Sequence, residues 1–151
     1  MQTIKNDIKK YPVMKRSNRY SHKLKIFEKA LNGFRIAMQI DVSTYPDDVA
    51  DVLKNGQIQK FEYCAELTWK IIKVFLYEYK GISIPSPHEI IMEFYSLGII
   101  DQPNCELLIS MVNDRNKLMH MYIEEFIDEV HSKLGSYLST MDKVLEVLKN
   151  F

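Results

Sequence analysis

The run Arg115-Asn116-Lys117-Leu118-Met119-His120-Met121-Tyr122 places four chemically capable side chains within eight positions. Arginine is a permanent cation whose planar fork matches a phosphate group. Histidine transfers protons near neutral pH. Asparagine can orient either of them, and the tyrosine hydroxyl can be modified. A helix that needs only a polar face is served by Lys, Glu and Gln, so this composition points to phosphate chemistry. At about 100° per residue, with Arg115 at zero, Asn116 falls near 100°, His120 near 140° and Tyr122 near 340°. Asn116 and His120 are an i,i+4 pair. Leu118 and Met119 can anchor the segment to a core, which would set the four polar groups along one edge of a helical bundle.

A second polar group is Glu62, Glu66 and Lys70, spaced i,i+4, with Trp69 among them. By spacing alone these residues need be no more than surface ion pairs worth a few tenths of a kcal/mol. Other chemistries have no signature. There is no GxGxxG, P-loop or HExxH, and no GxSxG nucleophile elbow. The four histidines (His22, His88, His120, His131) are scattered without metal-ligand spacing, so neither a metal nor a cofactor is expected.

The elements that must position these groups are helical almost throughout. The spacing predicts a first helix over Ser21–Ile40, capped by Ser21, with Leu24, Phe27, Leu31, Phe34 and Met38 as its apolar stripe. Asp41–Pro46 reads as a turn. Asp47–Lys54 reads as a short helical segment that Asn55-Gly56 disturbs. A second long helix is expected over Gln57–Lys80, with Ile58, Phe61, Ala65, Thr68, Ile72, Phe75 and Tyr79 on one face and Gly81 ending it. After a loop over Ile82–Pro87, a short helix follows over His88–Leu97, with Ser86 as cap and Pro87 at its first position. A fourth helix starts near Pro103 and reaches His120, carrying Leu107, Leu108, Met111 and Val112. A fifth covers Glu124–Lys149, with Phe126, Val130, Leu134, Leu138, Met141, Leu145 and Leu148 on one side and early acids that suit its dipole. Each stripe needs a partner, and burial of each Leu or Phe is worth roughly 1.5–3 kcal/mol. The expected fold is therefore all-α: an antiparallel up-and-down bundle of four long helices and one short one.

At 151 residues the chain is long enough for one cored domain, and its 46% hydrophobic and 26% charged residues are those of a globular protein. No apolar run approaches the ~20 residues of a membrane span, and the polar N-terminus does not read as a signal peptide. Cys64 and Cys105 stand alone, which suits a reducing compartment, and a cytoplasmic protein is expected. Formal charge is zero overall but uneven. Residues 1–25 hold eight Lys/Arg (Lys5, Lys9, Lys10, Lys15, Arg16, Arg19, Lys23, Lys25) against Asp7 alone, so a segment of +7 precedes a body of −7. Such a segment reads either as a handle for RNA or an acidic partner, or as a solvated tail. Residues 1–16 are expected to be loosely ordered, with Pro12 interrupting any helix.

Arg115, four residues, His120, one residue and Tyr122 make up the Rx4HxY form of the HEPN-domain motif. Upstream, the block Ile58-Gln59-Lys60-Phe61-Glu62-Tyr63-Cys64-Ala65-Glu66-Leu67-Thr68-Trp69-Lys70 resembles that of the nucleotidyltransferase substrate-binding protein family. So do Ser86-Pro87 before a short helix, Gly98-Ile99-Ile100, and Asp114-Arg115-Asn116. The similarity covers roughly residues 23–148, which divides the chain into a basic extension over residues 1–20 and a HEPN-like bundle over 21–151.

This resemblance implies a five-helix bundle that forms a homodimer and pairs with a minimal nucleotidyltransferase encoded nearby. It also implies a metal-independent ribonuclease toxin that the nucleotidyltransferase neutralises, by AMP transfer to the motif tyrosine, here Tyr122. The implied catalytic residues are Arg115, His120 and Asn116, with Asp114, Glu62, Glu66, Trp69 and Lys70 in support. The residues are suited to this chemistry. RNA cleavage through a 2′-hydroxyl needs a base, an acid and positive charge beside the phosphorane. One chain supplies one such histidine, and two chains across a twofold axis supply two. Two other readings stay open. One is a non-catalytic adaptor that presents substrate, or its own Tyr122, to the nucleotidyltransferase. The other is a scaffold in which Arg115 and His120 only satisfy carboxylates such as Glu62 or Glu66.

Overall fold

The computed structural model describes residues 16–121 and 123–151. Five α-helices account for most of them, and no strand occurs among the described residues: α1 (Asn18–Met38), α2 (Asp47–Lys80), α3 (Pro87–Ser96), α4 (Gln102–His120) and α5 (Glu124–Lys149). A single 3₁₀ turn, Val42–Thr44, lies between α1 and α2. The all-helical class and the four-long, one-short pattern agree with the sequence expectation.

The stripes become one core. Leu24, Phe27, Leu31 and Phe34 of α1 meet Phe61, Ile72 and Phe75 of α2, while Val130, Leu134, Met141 and Leu148 close the other side from α5. Along α5 the period slips by one position at two points. Ile127 and Tyr137 are buried, whereas the expected Phe126 and Leu138 are only half-buried. Tyr137 stacks on Phe61 with centroids 5.2 Å apart, which adds aromatic contact to plain burial.

Three boundaries differ from expectation. First, α1 is capped by Ser17 rather than Ser21, and the Ser17 hydroxyl accepts from the Tyr20 N–H. That earlier start is locked by tertiary contacts. Ser17 Oγ donates to the Glu78 carboxylate at 2.6–2.7 Å, and the buried Tyr20 donates to the Leu148 carbonyl at 2.7 Å. Second, α2 is continuous through Asn55-Gly56 and 34 residues long. Nothing lies within 4 Å of a Cβ placed on Gly56, and its φ is not positive, so the glycine costs the helix only its propensity. Gln57 also ties this stretch to the end of α1 by donating to the Ala37 and Ile40 carbonyls at 2.9 and 3.1 Å. Third, Asp101 caps α4 through the Asn104 N–H, while Ser86 makes no side-chain cap bond to α3. The expectation for residues 1–15 lies outside the described residues.

Strict up-and-down alternation fails once. Pro87, at the start of α3, stands beside Ala65, Glu66 and Trp69 of α2, and Phe94 near its end meets Phe75 edge-on. The α3 helix therefore runs parallel to α2. Residues 81–86 double back to allow this: about six extended residues span ~20 Å, matching the rise of the ~13 helical residues they retrace. Gly81, at φ 66°, makes the reversal. This return delivers Pro87 to the candidate site.

Candidate functional site

Arg115 and Asn116 sit in the last two turns of α4, opposite the middle of α2. With Glu66 and Trp69 they line a cavity of about 250 Å³, whose remaining walls are Ala65, Pro87, Val112 and Met119. Buried Val112 and Met111 fix the rotation of α4 against the core, which brings Arg115 round toward α2. The cavity is smaller than the ~300–1,000 Å³ of drug-sized ligand sites, so it holds a fragment such as a phosphate or a single base.

Glu66 organises the cluster. Its Oε2 accepts from Trp69 Nε1 at 3.1 Å and lies 3.7 Å from Arg115 Nε, while Lys70 Nζ stands 3.0 Å from its Oε1. Lys70 also packs over the Trp69 ring, 5.7 Å from the centroid. Burial pushes the Glu66 carboxyl up, but the bonds from Lys70 and Trp69 and the charges of Lys70 and Arg115 outweigh it and hold the group below the usual range. Glu66 is thus an anion that orients two cations and an indole. For Glu62 the balance reverses: burial raises its carboxyl despite the pull of Arg115. Arg115 Nε is buried and makes no hydrogen bond.

The remaining expected site residues are dispersed. Asp114 points the other way, into the α4–α5 interface, and is buried. It accepts from Tyr137 Oη at 2.5 Å and from Lys133 Nζ at 3.2 Å, and Ser110 Oγ lies 2.7 Å from the same tyrosine oxygen. Burial and the Asp114 carboxylate both push the Tyr137 hydroxyl upward. Asp114 therefore anchors the helix that carries Arg115 and does not line the cavity. His120 is the last residue of α4; it is exposed and not among the cavity's lining residues. Tyr122 lies outside the described residues.

The sequence offered no sign of Pro87 or Met119 as cavity walls, since both depend on how distant segments cross. The other histidines have structural partners. His88 Nε2 is 2.7 Å from Asn113 Oδ1, and His131 Nε2 is 2.6 Å from Gln57 Oε1.

The comparisons with known proteins agree with this architecture. The family model described as nucleotidyltransferase substrate binding protein like matches residues 22–150. A crystal structure from Thermus thermophilus superposes with a TM-score of 0.71 at 28% identity, covering 82% of this chain and 98% of that one. A second structure, a tri-AMPylated Shewanella oneidensis HEPN toxin in complex with MNT antitoxin, superposes with a TM-score of 0.72 at 19% identity. It covers 89% of this chain and 98% of that one, and at that identity the likeness is one of fold. No curated protein matches the sequence. Among the described residues no helix is long and apolar enough to cross a membrane.

Proposed function

The chain belongs to the nucleotidyltransferase substrate-binding-protein-like family, and on that footing we propose that it is the HEPN-type partner of a minimal nucleotidyltransferase, acting as a metal-independent ribonuclease toxin. The nucleotidyltransferase neutralises it by AMP transfer to Tyr122. The observation that carries this reading is the setting of Arg115: a guanidinium held beside a small cavity by Glu66, with Asn116 at its side. That setting suits a phosphate whose charge grows during reaction.

In this mechanism the RNA 2′-hydroxyl attacks the adjacent phosphorus and the bond to the 5′-oxygen breaks, leaving a 2′,3′-cyclic phosphate and a 5′-hydroxyl. Arg115 stabilises the phosphorane and Asn116 holds a non-bridging oxygen. His120 transfers a proton, as base to the 2′-hydroxyl or as acid to the leaving oxygen. Two proton transfers require two such groups, which a homodimer provides by placing His120 of a second copy at the same phosphate. In the neutralising step the Tyr122 oxygen attacks the α-phosphorus of ATP and releases pyrophosphate. The added AMP carries an anion and a bulky base to the last turn of α4, where it blocks the cleft and repels RNA.

The scaffold reading requires both Arg115 and His120 to be buried against carboxylates. Arg115 has Glu66, but His120 is exposed. The adaptor reading is favoured by one observation: His120 does not line the cavity that holds Arg115. One experiment separates the two. The protein is co-expressed with the neighbouring nucleotidyltransferase, Tyr122 is examined for AMP by mass spectrometry, and RNA cleavage is assayed with and without the modification. Cleavage that vanishes on modification supports the toxin. Modification or complex formation without cleavage of any RNA supports the adaptor.

A further inference from the structure

We propose that the end of the bundle where α2 and α5 begin docks the basic amino-terminal segment, residues 1–15, of a second copy of this chain. The two helices start side by side. Lys54 pairs with Asp128 at 2.6 Å and Gln57 with His131 at 2.6 Å, both 74 positions apart. The helices are therefore parallel and in register there, and Glu124 and Glu125 stand level with Ala50 and Asp51. Because α1 stops at Met38, it leaves the first turns of α2 uncovered, and no residue from Gln39 to Gly56 is buried.

This end combines exposed apolar side chains with unbalanced negative charge. Ile40, Tyr45 and Val49 are exposed, and Val52 is 70% exposed. Around them stand Asp41, Asp47, Asp48, Asp51, Glu124, Glu125 and Asp128, against Lys54 alone, which Asp128 already engages. None of the other six carboxylates has a cationic partner among the described residues. An apolar patch inside an acidic frame fits a segment that is both basic and apolar. Residues 1–15 have that composition: Ile4, Ile8 and Tyr11 recur at i, i+4 and i+7, with Lys5, Lys9 and Lys10 beside them.

Chain length decides whose segment it is. Arg16 is fastened at the opposite end of the bundle, donating from Nε to the Phe151 carbonyl at 2.7 Å and from its terminal nitrogen to the Lys149 carbonyl. Along α5, Lys149 lies 24 positions from Glu125, a rise of about 36 Å. Lys9 and Lys10 precede Arg16 by seven and six residues, which reach at most ~25 Å even fully extended. The lysine pair cannot arrive at its own chain's acidic end, whereas a second copy lying alongside in the opposite sense can deliver it.

Disulfide trapping on the full chain tests this. One tagged chain carries Lys9→Cys and another carries Val52→Cys; the native Cys64 and Cys105 are buried. Mild oxidation of the mixture is expected to give a covalent dimer. Asp47→Lys, Asp48→Lys and Asp51→Lys together should reduce its yield at least fivefold, as should high salt. Adding Lys5→Glu and Lys10→Glu to the first chain should restore the yield against the reversed acceptor, which guards against simple misfolding. The proposal is overturned by a mixture that gives no interchain bond, or by a yield indifferent to charge reversal. It is equally overturned by a doubly substituted single chain that closes on itself, or by a bond that forms only when RNA is added.

Discussion

Arg115 Nε lies 3.7 Å from Glu66 Oε2, sealed from solvent yet making no hydrogen bond. The pair is close enough to orient the guanidinium and too long to commit its N–H. Glu66 is meanwhile engaged by Trp69 and Lys70, so the carboxylate is fixed from the far side and its charge shared. Arg115 is thereby aimed at the cavity, with its terminal nitrogens making no hydrogen bond among the described residues.

Glu66→Gln should therefore separate positioning from stability. The site is partly exposed, so the lost ion pairs should cost less than about 1 kcal/mol in denaturant unfolding. RNA cleavage should fall about tenfold, and Arg115→Ala should lower it by ~10²–10³. Equal losses of activity and stability in Glu66→Gln would contradict a positioning role.

His120→Ala should abolish cleavage while leaving the melting temperature close to that of the parent, because the side chain is exposed. Since His120 and Arg115 supply the proton transfer and the charge, cleavage should persist in EDTA. Activity that EDTA removes and a divalent ion restores would reject this mechanism.

The Asp114–Tyr137 bond makes a separate prediction about α4. Tyr137→Phe leaves a buried carboxylate with one donor fewer and should cost about 1–3 kcal/mol. Asp114→Ala should cost at least as much, because Tyr137 and Lys133 both lose their acceptor. Chemical denaturation of each variant and of the double variant measures the coupling, and additive losses would mean the two groups do not act together.

His131 predicts a pH dependence. Burial lowers its pKa, Lys54 lowers it further and Asp128 partly opposes them. Gln57 Nε2 donates to α1, so its Oε1 must accept, and His131 is the neutral donor. A depressed histidine pKa means that the unfolded chain binds the proton more tightly than the folded one. Stability should therefore decline as pH falls through the ordinary histidine value of about 6.5 toward the lower folded value. Melting temperatures measured between about pH 7.5 and 5.5 should fall more steeply for the parent than for His131→Gln, and parallel slopes would refute the assignment.

Gly56→Ala tests the continuity of α2. The position is helical, its surroundings are open and its φ is ordinary, so alanine should stabilise by about 0.5–1 kcal/mol. Destabilisation would indicate a break at Asn55-Gly56, as the sequence suggests.

Apolar periodicity disclosed the helices because a 3.6-residue repeat is a local property. Leu24, Phe27, Leu31 and Phe34 announce a face whatever they pack against, and α5 has the expected limits. What the repeat misjudged were places where a distant group decides the outcome. Ser17 caps α1 because Glu78 and Leu148 hold its first turn, and Gln57 carries α2 past a glycine by bonding to the end of α1. The parallel course of α3 had no local sign, since a loop's direction depends on what it can lie against.

The sequence by itself determined an all-helical chain and its family, and it gathered Arg115, Asn116 and His120 on one segment, because these follow from residue order and spacing. Only the tertiary structure decided which neighbours each one meets. Arg115 and Asp114 are adjacent in sequence, yet the ~100° between consecutive helical residues sends one toward Glu66 and Trp69 and the other into the interface with Tyr137. That division follows from how α4 is rotated against α2 and α5, and the rotation is set by the shape of the buried core, which no single stretch of sequence contains.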